Sequence, residues 1–257
     1  MTLNNATITI TEATDSTITL NSVTVYYLDA NTVTARVVDA GGVAVAGASV
    51  TFRVNGAVYS TVNTDANGYA RLDLKKLAPG TYNVAAEYDG NSKQNKVVVK
   101  SLLSVKKTTN VKKSAKSTTV KITVKGKTTK VKFAYKGKNS VSVSFGNTWK
   151  NQKVIVSFKG KTYQVKVNSN GKGTLKLTKA ATKKLKKNKK YATSVFKQYT
   201  GKVKVNFNAK NYNVKISKGV ANFKVTKKMV KNLKKGKTVK YTVTYNADKL
   251  TRAVKIK

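Results

Sequence analysis

The chain has 257 residues, 40% of them apolar, and a formal net charge of +43 at neutral pH. That length holds two or three ordinary domains and that apolar content builds real cores, so a disordered polycation is excluded. Cysteine and histidine are both absent, which removes disulfides, thiolate chemistry, serine–histidine triads and the common zinc sets.

The charge is not evenly spread. Residues 1–100 hold eight basic residues (Arg36, Arg53, Arg71, Lys75, Lys76, Lys93, Lys96 and Lys100) and eight of the nine acids, so they sum to zero. Residues 101–257 carry the other 44 of the 52 basic groups against a single acid, Asp248. Paired-carboxylate hydrolysis and magnesium cages therefore lack residues in the basic part. The acids of the first part form no calcium-loop or paired pattern, and Asp65 and Asp89 sit in turn-like settings beside Asn or Gly. The expectation is a non-enzyme with no cofactor and no resident metal. The start "MTLNNATITITEATDST" has neither a basic leader nor an apolar stretch, and no run of 18 apolar residues occurs. A cytoplasmic chain or a piece of a longer product is the reading.

In chain order, strand patterns dominate. Val33, Ala35 and Val37 alternate with polar neighbours, then Val50, Phe52 and Val54, Val131, Phe133 and Tyr135, Val203, Val205 and Phe207, and Val239, Tyr241, Val243 and Tyr245. Period-2 alternation puts one apolar face on a core and one polar face in water. Up to residue 100 the wet face is mostly Thr, Asn and Ser; beyond 117 it is mostly Lys, as at Lys130, Lys132, Lys202, Lys204 and Lys215. Much of the charge is thus the solvated side of β-sheets. Within residues 23–100 the predicted core is Phe52, Val54, Leu72, Leu74, Tyr82 and Val84.

Three segments share one grammar: "SVTFRVNGAVYSTVNTDANGYARLDL" (49–74), "KVIVSFKGKTYQVKVNSNGKGTLKLT" (153–178) and "KVKVNFNAKNYNVKISKGVANFKVT" (202–226). Each reads as strand, Gly or Asn turn, a strand carrying Tyr59, Tyr163 or Tyr212, a turn with Gly68, Gly171 or Gly219, and a third strand. The third follows the second too closely to be a full sandwich, so it must borrow strands, with 119–145 the expected source. After the third strand the first segment turns at Pro79-Gly80, whereas the others insert "KAATKKLKKNKK" and "KKMVKNLKKGK". Thr178 and Thr226 suit N-caps and Asn188 and Gly236 suit C-terminal positions, which predicts helices of two to three turns. Met229, Val230 and Leu233 share one face, as do Ala181 and Leu185. The segment 101–117 is small, polar and basic and reads as a linker, with Leu102 to Val105 able to close the first domain. The division expected is 1–22 as an N-terminal strand or the end of a preceding module, 23–100 as the first domain, and 118–257 as a lysine-rich β region of two related repeats, 118–198 and 199–257.

"VTARVVDAGGVAVAGASVTFRVNG", "TDANGYARLDL" and "LAPGTYNVAAEY" resemble the immunoglobulin-like repeats of bacterial and archaeal surface adhesins across residues 23–100, departing at Val43-Ala44-Val45 where the family often has Pro-Val. "KGKTYQVKVNSNGKGTLKLTKAATKKLKKNKKY" and "FKVTKKMVKNLKKGKTVKYTVTY" are similar to the C-terminal modules of adhesin-like proteins of methanogenic archaea. The resemblance implies an all-β array of tandem immunoglobulin-like sandwiches, the lysine-rich part with short helices between strands. It also implies display at the cell surface or wall, a removed signal sequence and no catalysis. Strand number and spacing suit a sandwich independently. Tyr82 is either a turn-anchoring phenol or a plain core residue.

Three functions compete. In one, a spacer or ligand-displaying domain is joined to a basic region that docks on an anionic cell-wall polymer or surface glycan, with a host or neighbouring-cell ligand also in play. In another, Lys183, Lys184, Lys186, Lys187, Lys189 and Lys190, with Lys227, Lys228, Lys231, Lys234, Lys235 and Lys237, bind nucleic acid or any polyanion nonspecifically. These twelve lysines are the candidate polyanion-binding residues in either case. Arg252 is the one arginine beyond residue 100, which argues against base readout. Tyr163 and Tyr241 interleave with lysines at strand spacing and read as core, not as stacking platforms. The third function is a purely structural stalk, stiffened by a Lys–Asn isopeptide bond whose proton shuttle in the basic half would have to be Asp248, with residues 1–100 the other place for such a bond.

Overall fold

Alternating apolar residues separated by Gly and Asn turns leave the backbone little choice but short antiparallel strands. The computed structural model describes residues 15–29, 32–106 and 110–257. Its regular structure is nearly all β, with 22 strands and three helical pieces of a single turn. The chain falls into two units, residues 1–98 and 99–257.

The first unit contains β1 (Thr17–Leu20), β2 (Val23–Tyr26), β3 (Thr32–Val38), β4 (Ser49–Val54), β5 (Ala57–Asn63), β6 (Tyr69–Asp73), β7 (Gly80–Tyr88) and β8, which starts at Asn91 and runs to Lys100. They form two sheets, ordered β1-β3-β6 and β2-β8-β7-β4-β5. Val33, Val37, Val50, Phe52, Val84 and Val97 are completely buried, each contributing about 1.5–3 kcal/mol of transfer free energy. Leu72, Leu74 and Val54 join them as expected. Tyr82 does not: it is half-buried, and its hydroxyl donates to Ala78 O at 2.8 Å. Burial raises the phenol's pKa, with the Tyr59 phenol adding to the shift. Tyr82 is thus the turn anchor of the β6–β7 corner. The sandwich begins at β1, not at residue 23, because Thr17–Leu20 pairs with Ala35–Val38. The rest of the expected N-terminal segment, residues 1–14, lies outside the described residues.

The second unit is one sandwich carried inside another. Its first strands are β9 (Leu103–Val105), β10 (Asn110–Val111) and β11 (Ser117–Val124). Then come β12 (Thr128–Ala134), β13 (Ser140–Ser144), β14 (Lys153–Phe158), β15 (Lys161–Lys166), β16 (Lys172–Lys176) and β17 (Lys190–Lys197). Last are β18 (Lys202–Phe207), β19 (Lys210–Lys215), β20 (Val220–Thr226), β21 (Thr238–Tyr245) and β22 (Asp248–Ile256). The outer strands pair as β9-β11-β20 and β10-β22-β21-β18-β19, which is strand for strand the order of the first unit. We call this the host. The strands between them pair as β12-β17-β14-β15 and β13-β16 and form the insert, which leaves the host after β11 and returns at β18.

The insert has no strand after β17 to fill the place that β8 holds beside β7; β12 takes it from the N-terminal side, antiparallel to β17 from Thr128↔Phe196 to Ala134↔Lys190. That substitution brings the insert's two ends together, so short connections suffice to graft it into a loop of the host. The third repeat does borrow strands, but from 103–124, a narrower and earlier stretch than 119–145. The 101–117 segment is therefore no simple linker: β9 pairs with β11, β10 lies parallel to β22, and Leu102 and Val111 are fully buried. Leu102 to Val105 close the second unit and not the first. The boundary expected at 198/199 separates the insert from only the later part of its host.

A turn glycine meets a neighbouring strand at the same place in all three sandwiches, on a three-residue turn in the first unit and the insert and on a two-residue turn, Ser217 to Val220, in the host. Gly68, Gly171 and Gly219 have φ of 75°, 70° and 75°, and their carbonyls accept from Val37 N, Phe145 N and Val124 N at 2.9, 2.8 and 2.9 Å. A side chain at Gly171 would place its Cβ 2.7 Å from Gly146 O, and one at Gly68 would strike Val37 O. Only glycine fits this close crossing of two strands.

Candidate polyanion interface

The expected helices are single turns. α1 spans Lys179–Thr182 and α2 spans Lys227–Val230. Thr178 Oγ1 accepts from Ala181 N at 3.3 Å as an N-cap should, and Thr226 N donates to Met229 Sδ at 3.3 Å. Four residues cannot sustain a helix without packing, and here packing takes over early. Ala181, Val230 and Leu233 are buried, and Leu185 rests against the insert's core. The chain then runs as turns through Asn188, at φ 62°, and Gly236, at φ 89°. The lysines therefore sit on anchored loops and not on helical faces.

All twelve candidate lysines are exposed, and the sheet register places them at two ends. β12 and β17 meet the host at Thr128 and Phe196 and reach the lysine loop at Ala134 and Lys190, so Lys183–Lys190 lie at the far end of the insert. In the host, β11 and β20 pair from Thr123↔Val220, beside the insert, to Ser117↔Thr226; Lys227–Lys237 follow Thr226 and lie at the end remote from the insert. The structure does not gather the twelve into one patch.

Each loop is fastened by several bonds. At the insert end, Asn188 N donates to Tyr135 O at 2.7 Å, Tyr135 N to Lys189 O at 3.0 Å and Leu177 N to Asn139 O at 2.8 Å. Lys186 N donates to Tyr191 Oη at 2.8 Å, and Thr182 Oγ1 to Asn139 Oδ1 at 3.2 Å. Beneath them Phe133, Phe158 and Tyr191 form a ring cluster, with Phe133 and Phe158 edge-to-face at 5.2 Å. At the host end, Gly236 N donates to Ile256 O at 2.7 Å and Lys113 N to Lys257 O at 2.7 Å, while Lys113 Nζ donates to Leu233 O at 2.9 Å. A cavity of about 460 Å³ there is lined by Lys112, Lys235, Gly236, Lys255 and Lys257 among others.

The geometry adds residues that the sequence reading did not name. Lys136 and Lys138, exposed on the β12–β13 turn, join the insert cluster, where Gly137 faces the stem of Lys187. Lys112, Lys255 and Lys257 join the host cluster. "YKGK" at 135–138 was a visible turn signal, but only the pairing of β12 with β17 brings it beside residue 187. Tyr163 and Tyr241 are buried, at 8% and 2% exposure, and burial raises the Tyr241 phenol's pKa, so both serve the core. Arg252 Nη1 donates to the neighbouring Thr251 O, away from the candidate loops in sequence.

Asp248 is fully buried. Its carboxylate accepts from Ser101 Oγ at 2.8 and 2.9 Å and from the amides of Leu102 and Leu103 at 2.7 and 3.1 Å. This is a structural joint pinning the segment before β9 to the start of β22. Among the described residues, no group of three or more acidic side chains gathers to hold a metal, and no helix is long and apolar enough to cross a membrane.

Comparison with curated proteins gave no match. Among solved structures the chain is similar to a Ca²⁺-stabilised adhesin with which an Antarctic bacterium binds ice, at 16% identity over 96% of this chain and 75% of that one, TM-score 0.22. It is also similar to the adhesin InvE of Yersinia pseudotuberculosis, at 16% identity over 94% of this chain and 58% of that one, TM-score 0.30. A third is the I67–I69 fragment of titin, at 9% identity over 94% and 97%, TM-score 0.26. Whole-chain superposition is poor in each case. Residues 28–101, the greater part of the first sandwich, match the family of bacterial Ig-like domains (group 1).

Proposed function

We propose that the chain is a non-catalytic region of an adhesin-like protein displayed outside the cell, of the methanogen type its lysine-rich motifs resemble. Its first unit is an Ig-like spacer or ligand-displaying module. Its second unit associates with an anionic wall polymer or surface glycan through many weak lysine contacts.

The observation that carries this reading is the disposition of charge in the second unit. All twelve candidate lysines are exposed on hydrogen-bonded loops, while the unit's single acid is turned inward against Ser101 and backbone amides. Forty-four like charges repel one another, a cost that solubility alone does not require. Lysine is a hydrated point charge suited to diffuse attraction, whereas bidentate clamps and base readout favour arginine; this favours a wall polymer over a specific nucleic-acid site.

Retention on isolated anionic wall material is the test. It should be strong in dilute buffer and fall steeply as the screening length drops below about 8 Å above physiological salt. Changing Lys183, Lys184, Lys186 and Lys187 together to Gln should weaken retention without altering the circular dichroism spectrum. Binding that persists unchanged in molar salt would sink the electrostatic reading and send the search to a glycan pocket.

A further inference from the structure

The second unit carries its lysines at two poles, and we infer that it is bivalent: one pole is the insert's far end, the other the host's far end, and each takes a separate polyanionic chain. This rests on the polyanion reading above and adds to it that one molecule bridges two polymer strands.

The register is the first support. From the shared junction the insert runs along the seven residues of β12 to Ala134, and the host along the eight residues of β11 back to Ser117. At about 3.3 Å per residue these are roughly 20 and 23 Å. Among the described residues, no strand of the insert packs along a strand of the host, so the two sandwiches are not folded side by side. Their contacts gather where they join. The Phe196 ring meets Gly219, whose Cβ, if present, would lie 2.9 Å from it. Lys125 Nζ stands 5.1 Å from the Phe196 ring centroid, and Tyr199 packs edge-on against Tyr245 at 6.4 Å. Tyr245 Oη donates to Thr200 O at 2.9 Å, closing the return connection. The poles are therefore separated by several screening lengths of about 8 Å, so occupying one leaves the potential at the other nearly unchanged.

The second support is preorganisation. Flexible lysine tails fold back onto a polymer already bound, and both ends are then satisfied by one chain. Here the insert loop is held by Tyr191, Asn188 and Asn139, and the host loop by Lys113, Gly236 and the buried Leu233. Neither loop can reach the other's ligand without breaking these bonds. Cross-bridging then gains from effective concentration: a wall with many parallel chains holds such a molecule far more tightly than a single chain does.

The test is a sandwich capture with inorganic polyphosphate, using the whole chain. Polyphosphate is immobilised, the protein is bound at physiological salt and washed, and a fluorescent second polyphosphate is passed over it. The parent captures the second chain. The insert-pole variant (Lys183, Lys184, Lys186 and Lys187→Gln) and the host-pole variant (Lys228, Lys231, Lys234 and Lys235→Gln) each still bind the surface but capture at least about 5-fold less of it. Arginine at the same positions restores capture. A sheet-face variant (Lys130, Lys132, Lys202 and Lys204→Gln) removes the same charge and keeps capture. Full capture by either pole variant, or an equal loss in the sheet-face variant, overturns bivalency while leaving polyanion binding intact. Failure of the parent to bind the surface overturns both readings.

Discussion

The first unit and the host sandwich have the same strand order, yet they treat charge in opposite ways. In the first unit acids and bases meet: Arg53 Nε lies 2.8 Å from Glu87 Oε2, Lys75 Nζ 3.5 Å from Asp73 Oδ2, and Arg71 pairs with Asp65. In the insert the equivalent turn keeps its shape with a neutral group. Asp65 Oδ1 accepts from Asn67 N and Tyr69 N at 2.9 and 3.0 Å. In the insert Asn168 Oδ1 accepts from Asn170 N and Lys172 N at 3.0 and 2.9 Å. An amide oxygen does the turn's work as well as a carboxylate oxygen, so the acid is dispensable to the fold. The joint at the start of the last strand reverses the exchange: Asn91 Nδ2 donates to Ser16 O at 2.9 Å in the first unit, where the host has Asp248 on Ser101. The apolar alternation carries the sandwich, and the wet face is free to be neutral or strongly cationic.

The joint is where the comparison breaks most visibly. Asp248→Ala strands the buried Leu102 amide and leaves the Leu103 amide only Ser101 Oγ, at 3.0 Å, which should cost the host about 1–3 kcal/mol. Asn91→Ala, at an exposed position, should cost under about 1 kcal/mol. Urea unfolding of the whole chain with separate probes in each unit measures both; equal losses would show that the two joints are equivalent after all.

A middle-sized effect separates the two tyrosine anchors. Tyr82→Phe removes the bond to Ala78 O and should destabilise the first unit by about 1 kcal/mol. Tyr191→Phe instead frees Lys186 N at the loop surface, where water replaces the phenol. Its signature should be faster amide exchange through 183–189 with little change in the insert's unfolding midpoint. Unchanged exchange there would show that Tyr191 does not hold the lysine loop.

The smallest effect is a pH dependence at one turn of the first unit. The hydrogen bond from Arg71, then that from Tyr69 N, lower the Asp65 pKa below its usual value of 3.8. A carboxylate depressed on folding gives stability that is complete above the unfolded pKa and is lost as pH falls through the folded one. The first unit should therefore weaken slightly below about pH 4, and Asp65→Asn should flatten that slope. The Asn168 turn of the insert should show no such dependence, which comparing the units' thermal transitions between pH 2 and 5 would reveal.

Period-2 patterns and turn glycines were legible in the sequence because strand pleating and the left-handed region are local constraints. Phe52, Leu72, Phe207 and Val243 are buried where their alternation placed them, and Gly68, Gly171 and Gly219 all take positive φ at the corresponding turns. The spacing of the repeats also revealed that the last sandwich lacked strands of its own. Which strands it recruits was decided only by tertiary pairing, since β11, with β9 on its other side, meets β20 about a hundred residues later and no local pattern encodes a partner. The same holds for helix length, which the caps at Thr178 and Thr226 could begin but core packing cut short. It holds too for the two poles: lysine runs at 183–190 and 227–237 were plain in the sequence, but their placement at opposite ends follows from strand register, which exists only once the sheets have closed.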